Sequence, residues 1–294
     1  MAIVKSFSVG DGDTYFIRHN SDNFSIIDCN LDDDNRSPIV DELVAEAKLK
    51  GITRFISTHP DTDHFQGLDY LDDKLGLLNF YCVKNNVQKD PTTNNFERYK
   101  KLRDGERCFY VSKGCSRLWM NMSSEERDSA GITICWPDTS NSYFKDALKK
   151  AEAGESPNNI SLVARYSVGS GASFLWCGDL ETEFMENIHG DISLESTSVL
   201  FAPHHGRKSG RLPKAWLDDI QPKIIVVGEA DSEHLEYYQS HNTLKQNSAG
   251  DIVFECVDNK VHIYCSNATY AESFLRNERR PDCTFGYYIG SITV

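Results

Sequence analysis

Three short runs open the chain, Ile3 to Val9, Thr14 to Arg18 and Phe24 to Asp28, each apolar enough for a strand. Gly10-Asp11-Gly12-Asp13 and Asn20-Ser21-Asp22 separate them with turn chemistry, so the pattern predicts a β-meander. Asp32-Asp33-Asp34 reads as a solvated loop, although acids that follow an apolar strand can also face a metal pocket. Ser37-Pro38 then supplies an N-cap and a first helical position. Val40, Leu43, Val44 and Ala47 recur at helical spacing before Gly51, which predicts an amphipathic helix of about three turns. A strand at Ile52 to Ser57 follows, and a helix is expected to begin near Phe65-Gln66-Gly67-Leu68.

From about 79 to 157 the pattern weakens. It supports a strand at Phe80 to Val83, a polar helix around Phe96 to Arg103, a strand at Ile132 to Trp136 and a helix from Tyr143 to Ala153, with no internal repeat. Regular alternation returns with strands at Ser161 to Tyr166 and Ser173 to Cys177, a helix at Glu181 to Ile188, and strands at Ser198 to Phe201 and Lys223 to Val227. Asp251 to Phe254 and Lys260 to Tyr264 add strands in the tail. Strands, then alternation with helices, then strands again imply two sheets flanked by helices, an α/β fold.

The 294 residues suffice for one α/β sandwich or two smaller domains, and composition does not choose between them. No run approaches the roughly 20 apolar residues of a membrane span, and the first residues enter a strand pattern rather than a signal-peptide core; a soluble, cytoplasmic protein with no membrane partner is expected. The nine cysteines lack a Cys-x-x-Cys pair and several lie in strand-like runs, which fits buried, reduced thiols. A net charge of −13 argues against a broad footprint for duplex nucleic acid. Between Lys84 and Lys113, however, eight basic residues face four acidic ones, a pattern read first as a solvated helix face.

His59-Pro60-Asp61-Thr62-Asp63-His64 changes the picture, because it carries four candidate metal ligands on one turn at a strand end. Two divalent cations about 3.5 to 4 Å apart need His, Asp and a shared carboxylate from several elements. Asp179, after Phe174-Leu175-Trp176-Cys177-Gly178, is the candidate bridge; His204 and His205, after another apolar run, offer the remaining imidazole. Each stretch alone can be an ordinary polar turn. Three ligand-bearing strand ends in this order are what carries the metal reading.

These residues resemble the metallo-β-lactamase-fold hydrolases, whose signature is His-x-His-x-Asp-His. They are closest to the nuclease-like branch found in ComEC-type DNA-uptake proteins, where aspartate replaces the second histidine as Asp61 does here. Ser8-Val9-Gly10-Asp11-Gly12-Asp13, Ile27-Asp28, Asn158-Asn159-Ile160-Ser161-Leu162-Val163, Cys177-Gly178-Asp179-Leu180-Glu181 and Pro203-His204-His205-Gly206 resemble other segments of that branch. The similarity covers most of the chain outside residues 84 to 130. It implies a four-layer αββα metallo-β-lactamase sandwich over residues 1 to 294, with a family-specific elaboration around 84 to 157.

The resemblance further implies two divalent metal ions held by His59, Asp61, Asp63, His64, Asp179 and His204 or His205. Asn158-Asn159 stands where many members place a histidine, so the first metal is poor in nitrogen donors, and oxygen donors favour manganese or weakly held zinc. The expected activity is phosphodiester hydrolysis of single-stranded nucleic acid or a small nucleotide, with Asp63 in the catalytic group and His234 or His241 protonating the leaving oxygen. Asn159, Arg207, Lys208 and Ser209 are the expected substrate contacts. Hydrolysis of a carboxylic ester, thioester or lactone is the rival activity, and a metal-free interaction module the non-enzymatic alternative.

Overall fold

The computed structural model describes residues 1–229 and 236–294. The amino-terminal half builds β1 (Ala2–Ser6), β2 (Tyr15–Arg18), β3 (Asn23–Ile27), β4 (Cys29–Asn30), α1 (Arg36–Ala47), β5 (Ile52–Ile56), β6 (Phe65–Gln66), α2 (Leu68–Leu75), β7 (Phe80–Cys82), α3 (Asn94–Arg103) and β8 (Cys108–Tyr110). Next come β9 (Ile132–Trp136), α4 (Ser142–Glu152), β10 (Val163–Ser167), β11 (Ser173–Trp176), α5 (Thr182–Ile188), β12 (Val199–Phe201), α6 (Lys214–Ile220) and β13 (Ile224–Val227). The tail adds β14 (Thr243–Lys245), α7 (Gln246–Ala249), β15 (Ile252–Val257), β16 (Lys260–Cys265) and β17 (Tyr287–Thr293).

The long strands form two sheets. One has nine strands in the order β17-β16-β15-β1-β2-β3-β5-β7-β8; the other has six, β14-β13-β12-β11-β10-β9. Strand alternation explains the layering. Ile3, Phe16, Phe24, Ile26 and Phe55 point outward into a cluster with Val40 and Leu43 of α1. Val4, Ile17, Ile27 and Ile56 point the other way, into the cluster that holds Phe174 and Trp176 of β11. Helix, sheet, sheet and helix are thus stacked in four layers.

Both sheets change from antiparallel to parallel pairing near their middle. β3, β5, β7 and β8 run parallel in the first sheet; β11, β12, β13 and β14 run parallel in the second. Parallel strands share one carboxyl edge, so loops after β3, β5, β11 and β12 can meet at one end of the sandwich, the usual place for ligands in parallel sheets.

Two local expectations are corrected. Helix α1 starts at Arg36 rather than at Ser37-Pro38, because the Asp32 carboxylate accepts from the N–H groups of Asp34 and Asn35 (both 2.9 Å) and its carbonyl from Arg36 (3.0 Å), which winds the chain earlier. Phe65-Gln66 is not helical: it pairs in parallel with Cys29-Asn30, and α2 begins only at Leu68. Four of the eight basic residues between 84 and 113 have carboxylate partners: Arg98 bonds Asp72 and Asp73, Lys100 Glu97, Arg103 Asp104, and Lys89 Asp61. All nine cysteines are free thiols, and no helix among the described residues is long and apolar enough to cross a membrane.

Candidate metal centre

Asp179 lies at the centre of the shared edge, and four imidazoles surround it. The Nε2 atoms of His59, His204 and His205 stand 3.9, 3.7 and 3.7 Å from its Oδ2, and that of His64 stands 3.2 Å from its Oδ1. Asp63 completes the group, with Oδ2 3.3 Å from His205 Nε2 and 3.9 Å from His64 Nε2. Asp13, His64, Asp179 and His205 each offer one ligand atom within 4.8 Å of the other three.

Every one of these rings is fixed through its other nitrogen. His64 Nδ1 donates to Asp28 Oδ2 (2.9 Å) and His205 Nδ1 to Asp13 Oδ1 (3.2 Å). His59 Nδ1 meets Thr58 Oγ1 (3.1 Å), which itself donates to Asp28 Oδ2 (2.5 Å), and His204 Nδ1 meets Ser209 Oγ (2.9 Å). With Nδ1 occupied by oxygen, each Nε2 is left to the shared space. Such outer partners set the tautomer and aim of metal-binding histidines.

The backbone is shaped to the same end. Asp28, His204 and His205 all take left-handed φ values, 54°, 52° and 56°, a cost of about 1–3 kcal/mol each that persists only where surroundings enforce it. For His204 and His205 this curl turns two successive side chains toward Asp179. Gly178 has φ +52°, and a Cβ there would stand 2.7 Å from Ser161 Oγ and 3.0 Å from Thr58 Cβ; glycine is required for this close approach. Ser161 Oγ in turn accepts from the Asp179 N–H (3.0 Å). The loop carrying Asp13 is tied down by Glu229, which accepts from Ser8 Oγ (2.8 Å) and from the Gly10 N–H, and Tyr15 Oη donates to Asp13 Oδ1 (2.7 Å).

Burial works against the charge of Asp179, but the imidazoles of His64, His205 and His59 outweigh it and hold its carboxyl well below the usual range. His64 shows the converse: burial opposes its charge, yet Asp179 and Asp28 raise it well above the ordinary histidine value. Against the same burial, Asp13 and Asp179 lift His205 to about 10. Burial also works against Asp63, but the His205 bond and the His64 charge bring it to about 2. His59 goes down to about 4, through burial first and then through His64.

Buried donor atoms left open toward one another fit a divalent cation. Among the described residues, His59 Nε2, His64 Nε2 and Asp179 Oδ1 are buried without a hydrogen-bond partner, His64 and Asp179 meeting only as an ion pair at 3.2 Å. Buried polar atoms are normally paired, and nitrogen and carboxylate donors converging in this way suit a divalent ion.

Other expected residues lie differently. Asp61 is outside the four-group cluster and is bonded by Lys89 (2.6 Å). Asn159 is engaged with Glu181, donating to Oε2 (2.7 Å) and accepting from its N–H (3.1 Å). Arg207 is held by Asp11; Lys208 is exposed. His241 meets Ser240 Oγ (3.1 Å) and borders a cavity with Thr182 and Arg211; among the described residues no hydrogen bond joins it to the Asp179 group. His234 lies outside the described residues. The orienting parts of Asp13 and Asp28 were not assigned from sequence; the only signal was their place in segments resembling the family's first hairpin.

Over 87% of its length the chain matches all of Igni18, a novel metallo hydrolase from the hyperthermophilic archaeon Ignicoccus hospitalis KIN4/I, with a TM-score of 0.50 and 14% identity. The same share matches the whole of YhfI from Bacillus subtilis, a metallo-β-lactamase fold protein, with a TM-score of 0.50 and 12% identity. No family model and no curated protein sequence matches the chain. At such identities the likeness is one of architecture, and the architecture is the metallo-β-lactamase fold.

Proposed function

We propose that the chain is a divalent-metal-dependent hydrolase of phosphodiesters, akin to the ComEC-type nuclease-like branch and acting on single-stranded nucleic acid or a small nucleotide. The observation that carries the metal part is the convergence of four Nε2 atoms on Asp179 with the other nitrogen of each ring already engaged. Asp63, His64 and His205 with Asp179 would hold one ion; His59, Asp61 and His204, sharing Asp179, would hold a second. Zinc and manganese both suit this mixture of nitrogen and oxygen donors. When bound, such ions supply Lewis acidity that activates water and stabilises charge developing on a phosphoryl group.

The chain's own residues have distinct tasks in this reading. Asp13 and Asp28 orient His205 and His64, and Ser209 orients His204. Asp63, with its carboxyl near 2, serves as a ligand rather than as a proton acceptor. Lys208 and Arg207 supply positive charge for the non-bridging oxygens. The leaving oxygen is protonated by His241 or His234. For His241 the support is placement: Thr182, which shares its cavity, donates to the carbonyls of Ser209 (3.0 Å) and Arg211 (2.6 Å), so that cavity abuts the turn holding His204.

One observation favours the rival substrate class. Arg207 already has a carboxylate partner in Asp11, which reduces the charge available to a phosphate. The test is to measure bound metal in the purified protein and assay a chromogenic phosphodiester, a thioester and a lactone with added manganese or zinc, beside Asp179→Ala. Metal-dependent phosphodiester turnover is expected, with Asp179→Ala losing more than the roughly 100-fold that removal of an outer-shell partner costs. Turnover of the thioester or lactone alone would overturn the substrate class. Wild-type protein that takes up no metal would leave an interaction module.

A further inference from the structure

Lys89 lies between β7 and α3, in the elaboration that the sequence resemblance does not cover. It nevertheless reaches the signature turn. Its ammonium donates to Asp61 Oδ1 (2.6 Å) and stands 3.4 Å from Thr62 Oγ1, and it sits over the Phe65 ring, 5.6 Å from the centroid. The pair is sheltered, with side-chain exposures of 24% for Lys89 and 33% for Asp61. Asp61 Oδ1 also accepts from the Thr62 N–H (2.8 Å), so this oxygen already serves two donors.

The two halves of the centre therefore differ. Among the described residues, Asp13, His64, Asp179 and His205 cluster with no lysine or arginine bonded to any of them. On the other side, His59 Nε2 is buried near Asp179 with no hydrogen-bond partner among the described residues, but the carboxylate that would join it is neutralised by an ammonium. A dication on the remaining Asp61 oxygen would face that ammonium across a single carboxyl group, where like charges so close repel and water screens them only in part.

We propose that Lys89 competes with the second metal ion for Asp61, so that the centre holds one ion firmly at the His64–His205 side while Lys89 provides the positive charge on the His59 side. This rests on the metal-dependent reading above and deepens it. Lys89 is a positioning residue for the metal complement, and a second ion enters only by displacing it.

The test is metal stoichiometry, read by titrating zinc into chelator-treated full-length protein and by metal analysis after desalting. The set comprises wild type, Lys89→Met, Lys89→Gln and the double variant Lys89→Met/Asp61→Ala, with thermal melts confirming the fold of each. Wild type is expected to retain one ion per chain and to bind a second at least about tenfold more weakly, a gap of about 1.4 kcal/mol. Lys89→Met and Lys89→Gln should retain two, and the double variant should return to one. Equal stoichiometry and equal second-site affinity in wild type and both Lys89 variants would overturn the proposal while leaving the metal-dependent reading intact. No zinc in any of the four proteins would overturn both.

Discussion

Asp28 shows how much of this centre depends on residues that could never touch a substrate. Fully buried, it accepts from Thr58 N–H and Thr58 Oγ1 and from His64 Nδ1, and so fixes two imidazoles, one directly and one through the threonine. Burial opposes its charge, raising its pKa despite these donors. Asp28→Ala should lower metal affinity by about 10- to 100-fold without removing any atom from the ion-facing space, as a chelator-competition titration will show. The bond joins residues 36 positions apart. The motif around His59 to His64 is legible in sequence because its donors are adjacent. The Asp28–His64 pair is not, since it exists only once β3 and β5 lie parallel with Ile27 opposite Ile56. Asp13 and His205, 192 positions apart, are further from any local signal.

Elements were legible in proportion to their burial. The fully buried strands β1, β3, β11, β12 and β13 stand out as apolar runs, and the pattern places each within a few residues of its observed bounds. The edge strands β8 and β17 gave no such signal, because each is only partly covered and follows no strict alternation, and β14 is only three residues long; the edge strand β9, whose covered side chains alternate, is read at Ile132 to Trp136. One element-scale device is unexpected: Arg54 is buried on β5 with no carboxylate partner among the described residues. Its guanidinium donates to Ser25 Oγ (3.0 Å), Asn23 Oδ1 (2.6 Å) and the Trp119 carbonyl (3.0 Å). It thereby fastens the irregular segment around Trp119 to β3 and β5. Arg54→Met keeps much of the volume but strands these acceptors; a loss of about 2–4 kcal/mol is expected in urea unfolding. A change under 0.5 kcal/mol would mean the segment is held by other contacts.

At the scale of the whole molecule the centre is a clasp. Asp13, Asp28, His59, Asp63 and His64 come from loops of the nine-stranded sheet, and Asp179, His204 and His205 from loops of the six-stranded one. Without metal, part of their mutual attraction is a proton-dependent contribution to stability. His205 is raised from 6.5 to about 10, so its contribution is complete below pH 6.5 and is lost as pH rises toward 10. Asp63 is lowered from 3.8 to about 2, so its contribution is present above pH 3.8 and is lost as pH falls through 2. Chelator-treated protein should therefore lose thermal stability between pH 6.5 and 10, and His205→Gln should flatten that slope. Added zinc should restore the midpoint at pH 8, since an ion present at 100 times its Kd contributes about 2.7 kcal/mol.

By itself the sequence determined the layered α/β plan and the chemical nature of the centre, because both are written in short-range patterns: apolar runs of strand length, and His and Asp donors crowded at strand ends. Tertiary structure alone decided how those donors are used. It set the parallel pairing that brings Asp28 to His64, the left-handed curl that turns both His204 and His205 inward, and the approach of Lys89 to Asp61. The physical reason is range. Burial pattern and residue type act locally along the chain, whereas a carboxylate's partner is chosen by strand order and loop path, which no window of sequence contains.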